Sequence, residues 1–450
     1  MKKLLVSLAG AEGGAALAQS FVDATRERGI AVEPETAQLA ALLAAAYPAL
    51  RAQMLARPED VVALTKGKLR LPRDLRAYRR LAASAVAGGD ENTARSLRLF
   101  AQRERLRIAA RELLAPGDID ATARELADLA QVCVESAVAE AQRVVEERFG
   151  VPTASGGARC AFTVLGMGKL GGRELNAGSD VDLIPFYETD DGDVRKDGAP
   201  SEQTLHEHFT RVTQRFTQTL EEATADGIVW RVDLRLRPEG SRGPLVNALA
   251  AAERYYETWG RTWERAALLR ARPVAGDLAF GARLLDALGP FVWRKAVDPK
   301  IAREMTELVL RGRVELTTEP ERDVKLGPGG IREAEFFVQS LQLIWGGKEP
   351  ALRVQGTIEA LRRLHARGLV TDRERSEVES SYLALRRVEH RVQNATGIQT
   401  HVLPRGELLE TIAKSLGDAS GAELEKDLDK IRRRVASRFA SLTKTKRAGD

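Results

Sequence analysis

From about Val32 to Phe149, apolar residues return at every third or fourth position with Arg and Glu between them. That period predicts helices with one buried stripe. In the segment 94–114 the stripe is Leu97, Phe100, Leu106, Ile108 and Leu113. Asp120 or Thr122 is expected to cap the next helix, which carries Leu126, Leu129, Val132 and Val134 toward a core. The pattern changes at Gly150, where Pro152, Ser155, Gly156 and Gly157 form a breaker cluster. Three strand-like runs follow: AFTVLGMG at 161–168, VDLI at 181–184 and IVWRVDLRLRP at 228–238. Between the last two, 206–225 reads as a helix. From about Asp298 long amphipathic helices return, broken by a glycine-rich turn at 325–330 and loops at 346–350 and 396–404; Lys444, Lys446 and Arg447 read as a frayed tail. The expectation is an α+β chain: a helical N-terminal region (1–118), a small mixed-sheet domain (119–297) and a C-terminal helical bundle (298–450). The middle motif has no second copy.

Composition narrows the function. Aromatic residues are 5% of the 450, too few for a single-strand nucleic-acid binder that stacks bases on exposed rings. The net charge of +5 is the small difference between 69 basic and 64 acidic residues, so no nucleic-acid partner is expected. Two cysteines, Cys133 and Cys160, make neither a disulfide framework nor a zinc site, and a cytoplasmic setting fits. Lys2 and Lys3 before a short apolar run resemble a signal peptide, but the run stops at Glu12 and is short for one. No apolar stretch approaches the ~18 residues of a membrane span.

The chemistry concentrates at 165–182. A phosphate-binding P-loop requires Ser or Thr after its lysine, and Lys169 is followed by Leu170. Gly166, Gly168 and Gly171 satisfy a dinucleotide fingerprint, with Glu188 near the place of a ribose-binding acid. A parallel crossover, however, needs about a dozen residues or more, and few separate Gly172 from Asp180. The third reading is a metal-dependent nucleotidyltransferase. On a strand, Asp180 and Asp182 share one face while Val181 and Leu183 share the other. Adjacent carboxylates on an apolar-backed strand are costly unless a cation neutralises them, and oxygen-only ligands suit Mg²⁺. In 231–237, alternation puts Asp233 on the face of Arg235 and Arg237, opposite Val232, Leu234 and Leu236. Asp233 then completes a catalytic, metal-holding trio with Asp180 and Asp182, and the arginines are candidates for phosphate contacts. The glycine loop of Gly166, Gly168 and Gly171 would let backbone approach a nucleotide phosphate, with Lys169 as a point charge. Ser179 reads either as a phosphate contact or as a turn residue.

GMGKLGGRELN and SDVDLI resemble the polymerase-beta-type nucleotidyltransferases, and within them the glutamine synthetase adenylyltransferase/adenylyl-removing family. The likeness continues through RVDLRLRPEGSRGPLV (231–246), YYETWGRTWERAALLRARPVAG (255–276), KLGPGGIREAEFFVQ (325–339) and LRRVEHRVQNATGIQTHVLP (385–404), with QRERLRIAARELL (102–114) upstream. The resemblance implies that the mixed-sheet domain is the nucleotidyltransferase domain, and that its closest parallel is the adenylyl-removing half of a two-copy enzyme. That half uses orthophosphate to take AMP from a tyrosine of glutamine synthetase, releasing ADP, with Mg²⁺ as cofactor and PII as signal protein. The alternatives are ATP-dependent adenylylation of glutamine synthetase and a non-catalytic module that docks glutamine synthetase or PII. Pro185 and Gly178 depart from the family pattern.

Further motifs stay open at this level. Gly329 and Gly330 before a helix entry read as an anion site or a plain helix start, and the resemblance implies a substrate-side role for Arg332 and Glu333. Tyr255, Tyr256, Trp259 and Trp263 are expected in a core. Arg261, Arg265, Arg270 and Arg272 line either the active-site rim or a docking surface, or are structural. His390 and His401 are expected to be structural.

Overall fold

The computed structural model describes residues 14–66, 69, 71–87, 92–114, 118–296 and 300–444. The leader-like start, the basic residues Lys446 and Arg447 and the expected boundary at 297/298 lie outside the described residues. Among those described, strands occur only between Val151 and Gly276, and helices flank them on both sides, as an α+β chain. No described helix is long and apolar enough to cross a membrane.

The central strand is β2 (Phe162–Gly166), antiparallel to β3 (Val181–Tyr187) on one side and to β8 (Arg272–Gly276) on the other. The far edge of β3 takes two short parallel strands, β6 (Val232–Asp233) and β7 (Asn247–Ala248). The sheet is therefore mixed. Pro185 stands between the residues of β3 that pair β6 and those that pair β7, where that edge has no partner. A second sheet joins β1 (Val151–Ala154), β4 (Gly192–Lys196) and β5 (Ala199–Pro200).

Alternation along β2 and β3 feeds two cores. Phe162, Val164, Val181 and Leu183 pack with the helices Ile119–Phe149 and Leu205–Glu221. Leu165, Ile184 and Phe186 pack on the other face with Tyr256, Phe280 and Phe291. The helix Ile119–Phe149 is capped by Asp118, whose Oδ1 accepts the Ala121 N–H at 2.9 Å. Asp120 and Thr122, the expected caps, lie inside its first turn. Of the expected aromatic core, Tyr256 is buried and stacks on Phe291, whereas Trp259 is 71% exposed.

The helical flanks share a core. Phe21, Leu43 and Tyr47 pack with Phe337, Leu385 and Phe439 of the C-terminal bundle. The helix Thr93–Leu114 serves both sides: Leu106, Ala109 and Leu113 face the bundle core, and Leu97, Phe100 and Ile108 the sheet core. A buried polar cluster fastens this junction, with Tyr47 donating to Glu112 and Arg391 2.9 Å from Glu112. The bundle is thereby held over the carboxyl-bearing edge of the sheet.

Candidate active site

Between sheet and bundle lies a cavity of about 630 Å³. Gly168, Lys169, Ser179, Asp180, Asp182, Asp233 and Arg235 line it from the sheet side. Lys325, Arg332, Glu335, Glu389, Gln393 and His401 line it from the bundle side.

The aspartates converge through backbone register. Asp182 and Asp233 are directly paired across the parallel strands β3 and β6, and Asp180 immediately precedes β3. Burial, then the neighbouring Asp233, pushes the Asp182 carboxyl up to about 6; Asp180 adds to this, against Lys325 and Lys169. Burial also acts to raise Asp233, but the Arg235 guanidinium and backbone N–H outweigh it and hold the group below its ordinary value. Asp180 is 2.6 Å from Arg231, and Asp233 is 2.6 Å from Arg235. No hydrogen bond or ion pair engages the Asp182 carboxylate among the described residues.

Whether this trio fits a divalent cation can be tested on its chemistry. The donors are oxygen only, and a buried carboxylate of raised pKa is a group that a cation would stabilise. No set of three Asp, Glu, His or Cys side chains among the described residues is gathered at metal-binding geometry; Asp180 is turned to Arg231 and Asp233 to Arg235. The donor set fits. Arg231 and Arg235 are 45% and 78% exposed at the side chain, so each can swing out to free its carboxylate.

The glycine loop folds as one helical turn, Gly168–Gly171. Gly168 has φ +51°, and a Cβ there would stand 2.4 Å from Asp182 Oδ2. A side chain there would force the Asp182 carboxylate to move. Gly166 and Gly171 do not line the cavity. A Cβ on Gly171 would lie 1.8 Å from the Arg270 carbonyl oxygen, and one on Gly166 would lie 2.7 Å from Val274 Cγ1. Those two glycines seat the turn against the segment leading into β8. Ser179 lines the cavity while shaping the turn, its carbonyl accepting from Trp230 Nε1 at 2.8 Å.

Alternation fails after Asp233. The strand ends there, Leu236 packs into the second core rather than beside Val232 and Leu234, and Arg237 turns inward. Arg237 is buried and donates to the carbonyls of Leu234 at 2.8 Å and Pro244 at 3.0 Å, outside the cavity wall. Gly329 and Gly330 also lie outside it. A Cβ on Gly329 would meet the Arg432 carbonyl oxygen at 1.9 Å, which marks a turn lying close on the helix Gly421–Lys444 rather than an anion cradle. Glu333 is buried against Arg313, away from the cavity. Arg332 does line it, its guanidinium 5.2 Å from the Phe336 ring centre, with Nε lacking a hydrogen-bond partner. Arg265 and Arg270 are buried, Arg261 is exposed, and Arg272 donates to the Gly171 and Leu170 carbonyls.

Lys169, expected as a point charge for phosphate, is instead paired with an acid, and several of the groups around it escaped the sequence reading. Lys169 Nζ lies 2.9 and 3.1 Å from the two oxygens of Glu389. Asn176 Nδ2 donates to Glu389 at 2.5 Å, and Arg386 donates to Asn176 Oδ1 at 2.6 Å. Burial alone would raise the Glu389 carboxyl, but Lys169, Arg386 and Lys325 hold it well below its ordinary value. Glu174 accepts from Thr357 N–H at 2.5 Å and Tyr382 OH at 3.1 Å, and lies 3.0 Å from Arg270. The segment after the glycines is thus bolted to the helix Asp372–Thr396. The available signal was an acid, Glu389, on the same helix face as Leu385, Val388 and Val392.

Comparison with known proteins gives the family. The model of the family described as glutamate-ammonia ligase adenylyltransferase matches residues 36–287, and that described as GlnD PII-uridylyltransferase matches 300–443. A protein of Nitrosococcus oceani named bifunctional glutamine synthetase adenylyltransferase/adenylyl-removing enzyme is 41% identical over 349 residues, covering 77% of this chain and 36% of its own length. Proteins of the same name from Burkholderia mallei and Thioalkalivibrio sulfidiphilus are each 42% identical, covering 74% and 80% of this chain and 37% of their own length. The chain therefore spans little more than a third of these relatives. With the first family matched over more than half its residues, the chain belongs to the glutamate-ammonia ligase adenylyltransferase family.

Proposed function

We propose that the chain de-adenylylates glutamine synthetase, transferring AMP from an adenylyl-tyrosine to orthophosphate to give ADP. The observation that supports AMP transfer at this site is the in-register Asp182–Asp233 pair beside Asp180, in a cavity whose opposite wall carries Lys325 and Arg332 as well as Glu335 and Glu389. The division into a helical N-terminal region, a catalytic domain and a C-terminal bundle is part of the same proposal. So are PII as a regulatory partner, supported by the match over 300–443, and a cytoplasmic setting, supported by two buried free thiols.

Asp180, Asp182 and Asp233 would hold Mg²⁺, which when bound supplies charge neutralisation for the incoming phosphate and the departing tyrosine oxygen. The chain's own residues do the rest by placement. Gly168 lets backbone lie against the Asp182 carboxylate with no side chain between. Lys325 and Arg332 offer positive charge to the anionic substrates from the bundle side, and Arg235 does so from the rim. Lys169 is fixed by Glu389, so the turn carrying it keeps its position.

The same cavity would serve transfer of AMP from ATP to the unmodified tyrosine, which is the second reading. Product analysis separates the two: ADP from adenylylated glutamine synthetase and orthophosphate supports removal, whereas AMP incorporation from ATP alone supports attachment.

A further inference from the structure

The reaction proposed above moves a proton as well as an adenylyl group. A phenol has a pKa of about 10, so the tyrosine oxygen must gain a proton as it leaves at neutral pH. In the attaching direction the same oxygen must lose one. Most groups lining the cavity are committed elsewhere. Lys169 is paired with Glu389, Glu335 lies 3.4 Å from Arg270, and the three aspartates are the cation site.

One imidazole lines the cavity among the described residues, that of His401. Its Nε2 lies 3.2 Å from Oδ2 of Asp323, an ion-pair distance without hydrogen-bond alignment, and that carboxylate is fully buried with no other partner for Oδ2 among the described residues. The other oxygen of Asp323 accepts the backbone N–H groups of Lys325 at 2.9 Å and Leu326 at 2.7 Å, which fixes the carboxylate. Burial would raise Asp323, but His401 and the Leu326 N–H hold it below its ordinary value, so it faces the imidazole as an anion. The backbone holds both partners as well: Asp323 and Val402 form a β-bridge, and Val324 N–H donates to the His401 carbonyl.

His401 lines the same cavity as the three aspartates. Gln393 Nε2 donates to the Thr400 carbonyl at 3.2 Å, and its Oε1 accepts the Gly178 N–H at 3.1 Å. A Cβ on Gly178 would lie 3.1 Å from the Ile398 carbonyl oxygen. The loop that presents His401 therefore lies directly on the turn that leads into Ser179 and Asp180. Lys325, two residues beyond Asp323, lowers the Asp182 carboxyl from the same side.

We propose that His401, oriented by Asp323, is the catalytic acid–base that gives the tyrosine oxygen its proton in phosphorolysis and takes it in adenylylation. This rests on reading the site as one that transfers AMP to or from tyrosine. In phosphorolysis a bond forms from an orthophosphate oxygen to the adenylyl phosphorus. The bond from that phosphorus to the tyrosine oxygen breaks, and its electron pair stays on the oxygen. Nε2 is turned to Asp323, so Nδ1 delivers the proton to that oxygen. The proton lost by hydrogen phosphate balances the one gained by tyrosine, and nothing is oxidised or reduced.

The test is a leaving-group comparison with the full chain. Phosphate-dependent release is measured from glutamine synthetase adenylylated on tyrosine, and on a ring-fluorinated tyrosine whose more acidic phenol leaves without help. His401→Gln is expected to slow the ordinary substrate by about 10²–10⁴-fold, the usual worth of general acid–base catalysis, and the fluorinated one far less. His401→Asn and Asp323→Asn should show the same selectivity, weaker in Asp323→Asn. Equal slowing of both substrates in the folded His401 variants, or no slowing, overturns the proposal. An unmodified chain that neither removes nor attaches AMP defeats the reading of the site itself, and His401 falls with it.

Discussion

Lys169 and Glu389 are 220 residues apart in the chain, yet the lysine nitrogen sits between both carboxylate oxygens of the glutamate, at 2.9 and 3.1 Å. The pair joins the turn after β2 to the helix Asp372–Thr396 of the bundle, and it does so inside the cavity wall. Removing one partner strands a buried charge.

Glu389→Leu should therefore cost roughly 3–5 kcal/mol in urea unfolding near neutral pH. Adding Lys169→Met should recover part of the loss, because the ammonium is then gone while Arg386 and Asn176 remain unmatched. The pH dependence has a definite sign. The folded Glu389 carboxyl lies below its ordinary 4.5, so its stabilisation is present above about pH 4.5 and fades as pH falls below it. The difference between the unmodified chain and Glu389→Leu should shrink on acidification over that window.

Gly168→Ala places a methyl group 2.4 Å from the Asp182 carboxylate, at a φ of +51° that L residues rarely adopt. Strain of this kind costs about 1–3 kcal/mol of stability. The larger effect is expected on turnover, about a hundredfold in kcat, because the carboxylate must shift by about an ångström. Steady-state kinetics beside a thermal melt would separate the two effects.

Arg235 and Arg237, two residues apart, should behave oppositely. Arg235 is 78% exposed at the side chain and pairs only with Asp233 at the cavity rim, so Arg235→Met should leave stability within about 0.5 kcal/mol while impairing turnover. Arg237→Met removes the side-chain donor to the part-buried carbonyls of Leu234, which keeps the Arg237 N–H, and of Pro244, so stability should fall by about 1 kcal/mol. Urea midpoints and initial rates on both variants check the contrast.

His208 is fully buried, and neither ring nitrogen has a hydrogen-bond partner. Burial, then Arg159 and Arg211, pulls it from 6.5 down to about 4. The unfolded chain takes up a proton below pH 6.5 while the native chain resists until about pH 4, so stability falls as pH drops through that interval. The contribution is roughly 3 kcal/mol. His208→Phe should lose less stability than the unmodified chain between pH 7 and pH 4, leaving the similar contribution of His390 in place.

How much of this could be read from the sequence depends on how local each cause is. The runs 161–168 and 181–184 announced β2 and β3 because their apolar residues are contiguous and flanked by breakers. Asp180 and Asp182 followed from alternation, and Asp233 followed because its strand survives just long enough to pair. Arg237 was misplaced by the same rule. Alternation continues on paper through Leu236, but the chain leaves the sheet after Asp233 to reach the second core. Gly329 and Gly330 read locally as an anion site or a helix entry, and Glu333 had a substrate-side role only by resemblance; what they meet, Arg432 and Arg313, lies on other helices. Glu389, Glu335 and His401 were beyond reach for the same reason. Their roles are set by which turn of the bundle faces the sheet, and helical spacing within the bundle does not contain that.

The measurement that bears most directly on the central claim uses the purified chain, Mg²⁺ and adenylylated glutamine synthetase, with and without orthophosphate, following ADP. Phosphate-dependent ADP release that is lost in Asp182→Asn, with the unfolding midpoint retained or raised because a buried charge has been removed, is the predicted result. ADP release at an unchanged rate in Asp182→Asn would contradict the account, since chemistry would then proceed without the carboxylate on which the site is built.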